Sequence, residues 1–388
     1  MKICLVSFDF PPFADGGIAA QSYYLSLYLS KEGIDVLVLS AGAQENEVHI
    51  NRHLNVVRLK IPINDRMMKI PTFQYKVWLW LKHNASSFDI IHFQENSGFI
   101  YYLFELFSRE RNCYKHTIEH FHHSITADYF FQLSSIVKAP KENIPYLFMP
   151  LEMLQHYFCL KKAKSIITVS NNSRLALLSM GIDSKKITVI PNAIPSTNFK
   201  LKDVKVKHVQ PIKFLYVGRL VPRKGIDILI QAIILLKKQG VNDFCVDIVG
   251  QGPLNNYVTN VIKKQDIKNC NVWGSVSQEK LVDLYDKADC FICPSRLEGF
   301  GIVLLEAATN GLTIIANNIP VFREIFSDEE VLFFRHNNPV DLANKISDLT
   351  KNKINTSLFK LNSYKRVKNF TWEKIINMYK KIYAQKCK

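Results

Sequence analysis

The sequence predicts an α/β protein built from two doubly wound units. Three observations predict it. At 388 residues the chain is longer than one hydrophobic core usually serves. Short apolar, strand-like segments alternate with helix-like periodic ones, the sign of a parallel sheet covered on both faces. That alternation breaks at the polar, lysine-rich stretch Pro195–Pro211, bounded by prolines, and then restarts. The expected division is residues 1–195, a linker over 196–211, and residues 212–370.

Each element follows from local pattern. Residues 2–7 are a short apolar run that meets Asp9, so they read as a first buried strand. Residues 18–31 have helical periodicity, and Gly33 stops them. Residues 35–40, 90–93, 117–120, 165–169 and 186–190 continue the strand series, with helices expected over 98–108 and 172–180. After the linker, strands are expected at 213–217, 244–249, 271–273, 290–293 and 313–316. Helices fit 225–238, 254–264, 278–287 and 302–309, and a last one over 371–384 has Thr371 as N-cap. The insert 124–157, rich in aromatics and prolines, has no clear period. Ligands of such sheets sit beyond the carboxyl ends of the strands, and the cleft between two such units is the expected site.

Composition excludes several classes. Apolar residues make up 47% and charged residues 22%, ordinary for a soluble globular chain. No apolar run is long enough to cross a bilayer, and the amino-terminal run is too short for a signal peptide, so the cytoplasm is expected. Eight cysteines are scattered without disulfide or zinc spacing, and Cys290 and Cys293 on one strand point to opposite faces. Net charge is +16, and residues 350–388 hold eleven Lys/Arg against the single acid Glu373. Nucleic acid, an anionic membrane and a solvated helix face are three readings of that surface.

Four segments can carry chemistry. The strongest runs from Ser295 to Ala307, a strand end, a glycine-containing loop (Gly299, Phe300, Gly301) and an apolar helix opening at Ile302. Such a turn presents backbone N–H groups at a helix N-terminus. Glu298 precedes the turn and Glu306 lies just over one turn into the helix. Carboxylates there suit neutral hydroxyl groups, and a buried Glu306 needs a partner. The second segment, Phe214–Gly225, leads from a strand through Gly218, Arg219 and Lys224 into a helix. Two cations beside backbone donors suit a diphosphate. In the third, Gly16 and Gly17 follow a strand and precede a helix, which allows close backbone approach or a simple turn. The fourth crowds His120, His122 and His123 at a strand end. Zinc binding is a competing reading there, because His120 and His122 share a strand face.

Together these segments resemble the retaining family-4 glycosyltransferases (glycosyl transferases group 1), most specifically from Lys213 to Glu324. The resemblance implies the GT-B fold, two Rossmann-like doubly wound domains facing across a cleft, with a terminal helix over 371–388 joining the first domain. It implies that Glu298 contacts donor-sugar hydroxyls, that Glu306 binds the ribose, and that Gly299, Phe300, Gly301 and Ile302 bring backbone to the diphosphate. Arg219 and Lys224 would stabilise the departing nucleoside diphosphate. Gly16 and Gly17 match the glycine loop that closes on the donor, and Gly250 a loop near the base. His122, with His120 as fallback, would meet the transferred sugar and shape the acceptor pocket. Leu312 stands where the family commonly has proline.

The expected reaction is therefore hexose transfer from a UDP- or GDP-sugar to a glycan, lipid-linked or other hydroxyl acceptor, in cell-surface polysaccharide or glycolipid synthesis. No cofactor and no metal are expected, and the Asp-x-Asp metal motif is missing from the sequence. No nucleic-acid partner is expected. Residues 73–82 mix aromatics with Lys76 and Lys82, which fits a helix lying on an anionic inner membrane face, or a half-buried core helix. A nucleotide-sugar epimerase of the same fold and a non-catalytic sugar-nucleotide-binding protein are the alternatives. A nicotinamide dehydrogenase fits poorly, because Asn255 stands where the third fingerprint glycine would.

Overall fold

The computed structural model describes residues 1–13, 16–62, 68–106, 117–122, 149–199 and 211–386. Its described residues form two compact units. One takes residues up to 122, 149–195 and those from 371 onward; the other takes those between 196 and 370. Most of the insert 124–157 and the linker lies outside the described residues, as does His123.

The first unit holds an eight-stranded sheet. Its strands are β1 (Lys2–Ser7), β2 (Asp35–Gly42), β3 (Asn46–Asn51), β4 (Leu54–Lys60), β5 (Ile90–Gln94), β6 (Thr117–Phe121), β7 (Ser165–Thr168) and β8 (Ile187–Val189). Their order is β3-β4-β2-β1-β5-β6-β7-β8. Every pair is parallel except β3–β4. The sequence reading placed no strand between 41 and 89. β3 is an almost wholly exposed edge strand of polar residues, so it lacks the apolar run that marks a buried strand. The helix Trp372–Lys386 belongs to this unit. Its Trp372, Ile375, Ile376, Tyr379 and Tyr383 join the core of Ile3, Leu5, Leu29 and Ile118. The Trp372 amide donates to the Ile194 carbonyl at 3.1 Å and fixes the start of that helix.

The second unit is an all-parallel sheet of six strands. They are β9 (Ile212–Val217), β10 (Phe244–Val249), β11 (Cys270–Gly274), β12 (Cys290–Cys293), β13 (Thr313–Asn317) and β14 (Leu332–Phe334), in the order β11-β10-β9-β12-β13-β14. The helix Ile226–Lys238 buries Leu229, Ile233 and Leu236 against Phe214, Val246 and Ile292. β14 and the helices Pro339–Thr350 and Thr356–Val367 complete the unit beyond the elements expected from sequence.

Strand order positions the sites. In the first unit β1 lies between β2 and β5; in the second, β9 lies between β10 and β12. At such a switch the connections on either side leave toward opposite faces, which opens a crevice at the carboxyl ends. The residues there are those after Ser7 and Gln94, and those after Val217 and Cys293.

Candidate functional site

In the second unit, the loop after β9 carries Gly218 and Arg219, and a 3₁₀ turn over Pro222–Lys224 leads into the helix that starts at Ile226. Close backbone approach explains its glycines. A Cβ on Gly225, whose φ is +66°, would lie 1.9 Å from the Pro294 carbonyl oxygen. A Cβ on Gly250 would lie 2.0 Å from the Gly218 oxygen. The loops after β9, β10 and β12 are therefore packed backbone to backbone. The amides of Arg296 and Leu297 both donate to the Arg223 carbonyl, at 2.7 and 3.3 Å. Arg296 adds a bidentate pair to Asp227, 2.6 and 2.9 Å, and donates to the Pro222 carbonyl at 2.7 Å. Sequence alone assigns neither Arg296 nor Asp227 a role. They hold the basic turn against the acidic loop.

That clamp sets Lys224 on Glu298. Lys224 Nζ donates to Glu298 Oε1, Ser295 Oγ donates to the same oxygen at 2.9 Å, and Arg223 Nη1 lies 3.7 Å from Oε2. Glu298 is 8% exposed. Burial pushes its carboxyl up, but the charges of Lys224 and Arg223 and the two hydrogen bonds outweigh burial and hold it below the ordinary carboxylate range. Glu306 contrasts with it. Burial raises its carboxyl, and the hydrogen bond from Tyr285 Oη (3.1 Å) with the charge of Lys224 offsets part of that rise. Lys224 thus acts on both glutamates. Arg223 and Tyr285 belong to the cluster and were missed: Arg223 sat beside Lys224 in the motif, while nothing local marked Tyr285.

Arg219 is exposed, and among the described residues its guanidinium makes no hydrogen bond or ion pair, so it is not drawn into the Glu298 cluster. The Phe300 ring is buried and packs edge-on against Phe370 at 5.7 Å, which leaves its backbone as the part available to a ligand. Gly301 caps the helix Ile302–Thr309 with φ +99°, and a Cβ there would strike the Phe322 ring at 2.6 Å. Gly299 and Ile302 flank it in the same turn.

In the first unit, Gly16 stands at the start of the helix Gly17–Lys31 with φ +122°, and a Cβ on it would meet nothing within 4 Å. Conformation rather than crowding selects glycine there. The imidazoles lie at the end of β6. His122 Nε2 is 2.6 Å from Gln94 Oε1, and its ring stacks on His120 at 4.2 Å and 11°. His120 stacks in turn on His92 at 5.4 Å. The expectation that His120 substitutes for His122 at a ligand does not hold geometrically: His120 is 0% exposed, enclosed by His92, His122 and Tyr379. Its shared strand face with His122 is real, but parallel stacked rings do not converge their nitrogens on one ion. Among the described residues no group of three His, Cys, Asp or Glu side chains is placed to hold a metal.

Comparison with known proteins follows the same division. Residues 15–197 match the profile of Glycosyltransferase Family 4, and residues 198–368 that of Glycosyl transferases group 1. An uncharacterized glycosyltransferase of Methanocaldococcus jannaschii is 32% identical over 172 residues, 44% of this chain and 47% of that one. The amylovoran biosynthesis glycosyltransferase AmsK of Erwinia amylovora is 30% identical over 189 residues, 47% of this chain and 43% of its own. The chain therefore spans about half the length of these curated relatives. Among solved structures, Anabaena HepE in complex with UDP-glucose superposes with a TM-score of 0.71 at 16% identity, over 99% of this chain and 100% of that one. The two profiles adjoin at residue 198 and lie over two parallel-sheet units with glycine-lined strand ends; the chain belongs to the family-4, group 1 glycosyltransferases and has their GT-B fold.

Proposed function

We propose that this chain transfers a hexose from a nucleoside-diphosphate sugar, UDP- or GDP-linked, to a hydroxyl acceptor with retention at the anomeric carbon. The observation that carries the reading is the ionised, buried Glu298 held by Lys224 at the β9/β12 switch, with Glu306 in electrostatic reach of the same lysine. An ammonium has three donors, and Glu298 engages one. The others suit the oxygens of a diphosphate, whose charge grows as the sugar leaves. Cations set there in advance lower the barrier, and with Arg223 and Arg219 on the same loop the proposal needs no divalent ion. Glu298 then accepts from hydroxyls of the hexose and Glu306 from those of the ribose. Gly16, Gly17, Gly218, Gly250 and the Gly299–Ile302 backbone are assigned to the donor, and His122 to the sugar. A front-face route, with the leaving phosphate assisting the acceptor hydroxyl, accounts for retention without a covalent nucleophile. HepE was solved with UDP-glucose, which supports a nucleotide-sugar donor here.

The acceptor is assigned as a glycan or lipid-linked glycan at the cytoplasmic face of a membrane. AmsK acts in amylovoran biosynthesis, which supports a polysaccharide role. The helix Lys69–Asn84 buries Phe73, Val77 and Leu81 but leaves Tyr75 46% and Leu79 38% exposed, and Lys82 caps the Trp78 ring at 5.7 Å. Apolar groups facing outward with lysines beside them fit an anionic lipid surface. No helix among the described residues is long and apolar enough to cross a membrane.

A thermal-shift screen of UDP-, GDP- and ADP-sugars tests the donor assignment, because a bound donor raises the melting point. The expected result is one responding nucleotide class, followed by transfer with the donor's anomeric configuration kept in the product by NMR. No response to any of them defeats the reading. Epimerised sugar without added acceptor would favour the epimerase, and binding without transfer or hydrolysis a non-catalytic protein. Flotation with anionic liposomes at low salt tests the membrane surface, and an unbound protein removes it.

A further inference from the structure

The first unit buries a chain of neutral polar side chains that the proposed reaction does not use. Gln94, at the end of β5, is 1% exposed; Gln21, on the helix Gly17–Lys31, is 2% exposed; Tyr379, on the helix Trp372–Lys386, is fully buried. Gln21 Nε2 donates to the Tyr379 hydroxyl at 3.0 Å, Gln94 Nε2 donates to Gln21 Oε1 at 3.2 Å, and Gln94 Oε1 faces His122 Nε2 at 2.6 Å. We infer that Gln94, Gln21 and Tyr379 are positioning residues that hold His122 in a single tautomer, with the proton on Nε2 and the lone pair on Nδ1.

Hydrogen-bond direction fixes the tautomer. An amide oxygen only accepts, so the ring nitrogen that meets Gln94 Oε1 must donate. Turning the Gln94 amide alone would aim its oxygen at the oxygen of Gln21. The reverse arrangement therefore needs both glutamines and the Tyr379 proton to turn together. The Ser97 hydroxyl donates to the Gln94 carbonyl at 2.6 Å and steadies that strand end. Stacking on His120 closes one face of the His122 ring. Beneath it, the Tyr383 hydroxyl meets His92 Nδ1 at 2.7 Å, and burial keeps His92 and His120 uncharged. Gln94 thus holds Nε2 as a donor and His120 closes one face of the ring, so any hydrogen bond made through Nδ1 is one that it accepts. Tyr379 and Tyr383 come from the last helix of the chain, which gives that helix a part in the site besides packing. The catalytic consequence rests on the reading that His122 meets the transferred sugar; the tautomer does not.

Long-range ¹⁵N–¹H NMR of the full chain tests it, with His122→Gln used to identify the signals. The expected pattern is pyrrole-like Nε2 and pyridine-like Nδ1. Gln94→Leu is expected to mix the tautomers and to lower kcat about tenfold, with donor KM changed less than about twofold. Gln94→Glu still presents an accepting oxygen, so Nε2 keeps its proton whether or not the carboxylate charges the ring. Tyr379→Phe removes the far acceptor and gives a partial mixture, which carries the test if Gln94→Leu does not fold. A proton on Nδ1 in the wild type, or tautomers unchanged in the folded variants other than Gln94→Glu, overturns the inference. If the Nε2–H tautomer is found and His122→Ala transfers sugar as well as wild type, the sugar-contact reading falls and the positioning stands.

Discussion

The two units build polar clusters at the same place, the carboxyl ends of strands beside a topological switch, yet by opposite means. In the second unit Glu298 is buried and charged, because Lys224, Arg223 and Ser295 compensate it. In the first, His92, His120 and Gln94 are buried and neutral, and order comes from stacking and amide hydrogen bonds. Under the proposed function, charge is kept where a diphosphate would be met, and orientation where a neutral sugar would be aimed at. That contrast predicts how each region responds to damage.

The largest effect is expected on the charged side. Lys224→Ala should lower kcat by roughly 10²–10³-fold, the scale of losing a preorganised electrostatic donor, and weaken UDP or GDP binding far less. Steady-state kinetics beside nucleotide titration reads both. Equal losses would mean that Lys224 binds the ground state as strongly as the departing diphosphate, and the proposed role would fail.

Backbone packing separates two glycines with nearly equal φ. Gly225 and Gly33 stand at +66° and +75°, but a Cβ on Gly225 meets the Pro294 oxygen at 1.9 Å while one on Gly33 meets nothing within 4 Å. Gly33→Ala should cost roughly 1–2 kcal/mol for the left-handed conformation alone. Gly225→Ala adds a clash with backbone and should cost above about 3 kcal/mol in urea unfolding. Similar losses would show that the β9 and β12 loops can separate cheaply.

These cases also show what a sequence discloses. Alternation, glycine turns and the glutamate pair are local, so both sheets, the Glu298–Glu306 helix turn and Lys224 were legible. β3 and β4 were not: β3 is an exposed edge strand that needs no apolar run, and in β4 the buried Leu54, Val56 and Leu59 are interrupted by Asn55 and Arg58. Tyr285 was not, because it reaches Glu306 from another helix, 21 residues away. Nor was the depth of His120. Alternation gave its strand face correctly, but how deep that face lies depends on the terminal helix, whose Tyr379 closes over it. Arg219 was named from its place in a motif, and its exposed side chain is a matter of tertiary packing.

On the neutral side the expected signature is pH dependence. Burial lowers the pKa of His92 to about 3 and of His120 well below its ordinary value. Unfolded, both return to about 6.5. Between those limits the unfolded chain binds protons that the folded chain refuses, so stability falls as pH drops below about 6.5. Each group adds a slope of up to about 1.4 kcal/mol per pH unit. Among the described residues neither ring nitrogen of His120, both buried, has a hydrogen-bond partner. His120→Phe keeps an aromatic ring in the stack and should therefore cost little near neutral pH while removing one group's share of the slope. Chemical denaturation from pH 5 to 7 measures it, and an unchanged slope would mean that His120 titrates in the folded chain.

The smallest effect concerns Glu306. Its folded pKa is raised, so the folded chain holds that proton more tightly than the unfolded one between the ordinary carboxylate value and the raised value. Stability therefore declines as pH rises through that window, and at neutral pH an ionised Glu306 is a net cost. Glu306→Gln removes the charge and keeps an oxygen to accept from Tyr285, so it should raise stability by about 1 kcal/mol at neutral pH and leave it nearly unchanged in mild acid. The same substitution should weaken nucleotide binding, because a carboxylate bonds ribose hydroxyls more strongly than an amide does. Glu298→Gln should do the reverse for stability, since its charge is what Lys224 and Arg223 need as a partner. Opposite signs from one chemical change at two glutamates eight positions apart would show that the fold tolerates a destabilising charge at Glu306 for the sake of its ligand. If Glu306→Gln instead lowers stability at neutral pH, the carboxylate is a structural group like Glu298 and its assignment to the ribose loses its physical ground.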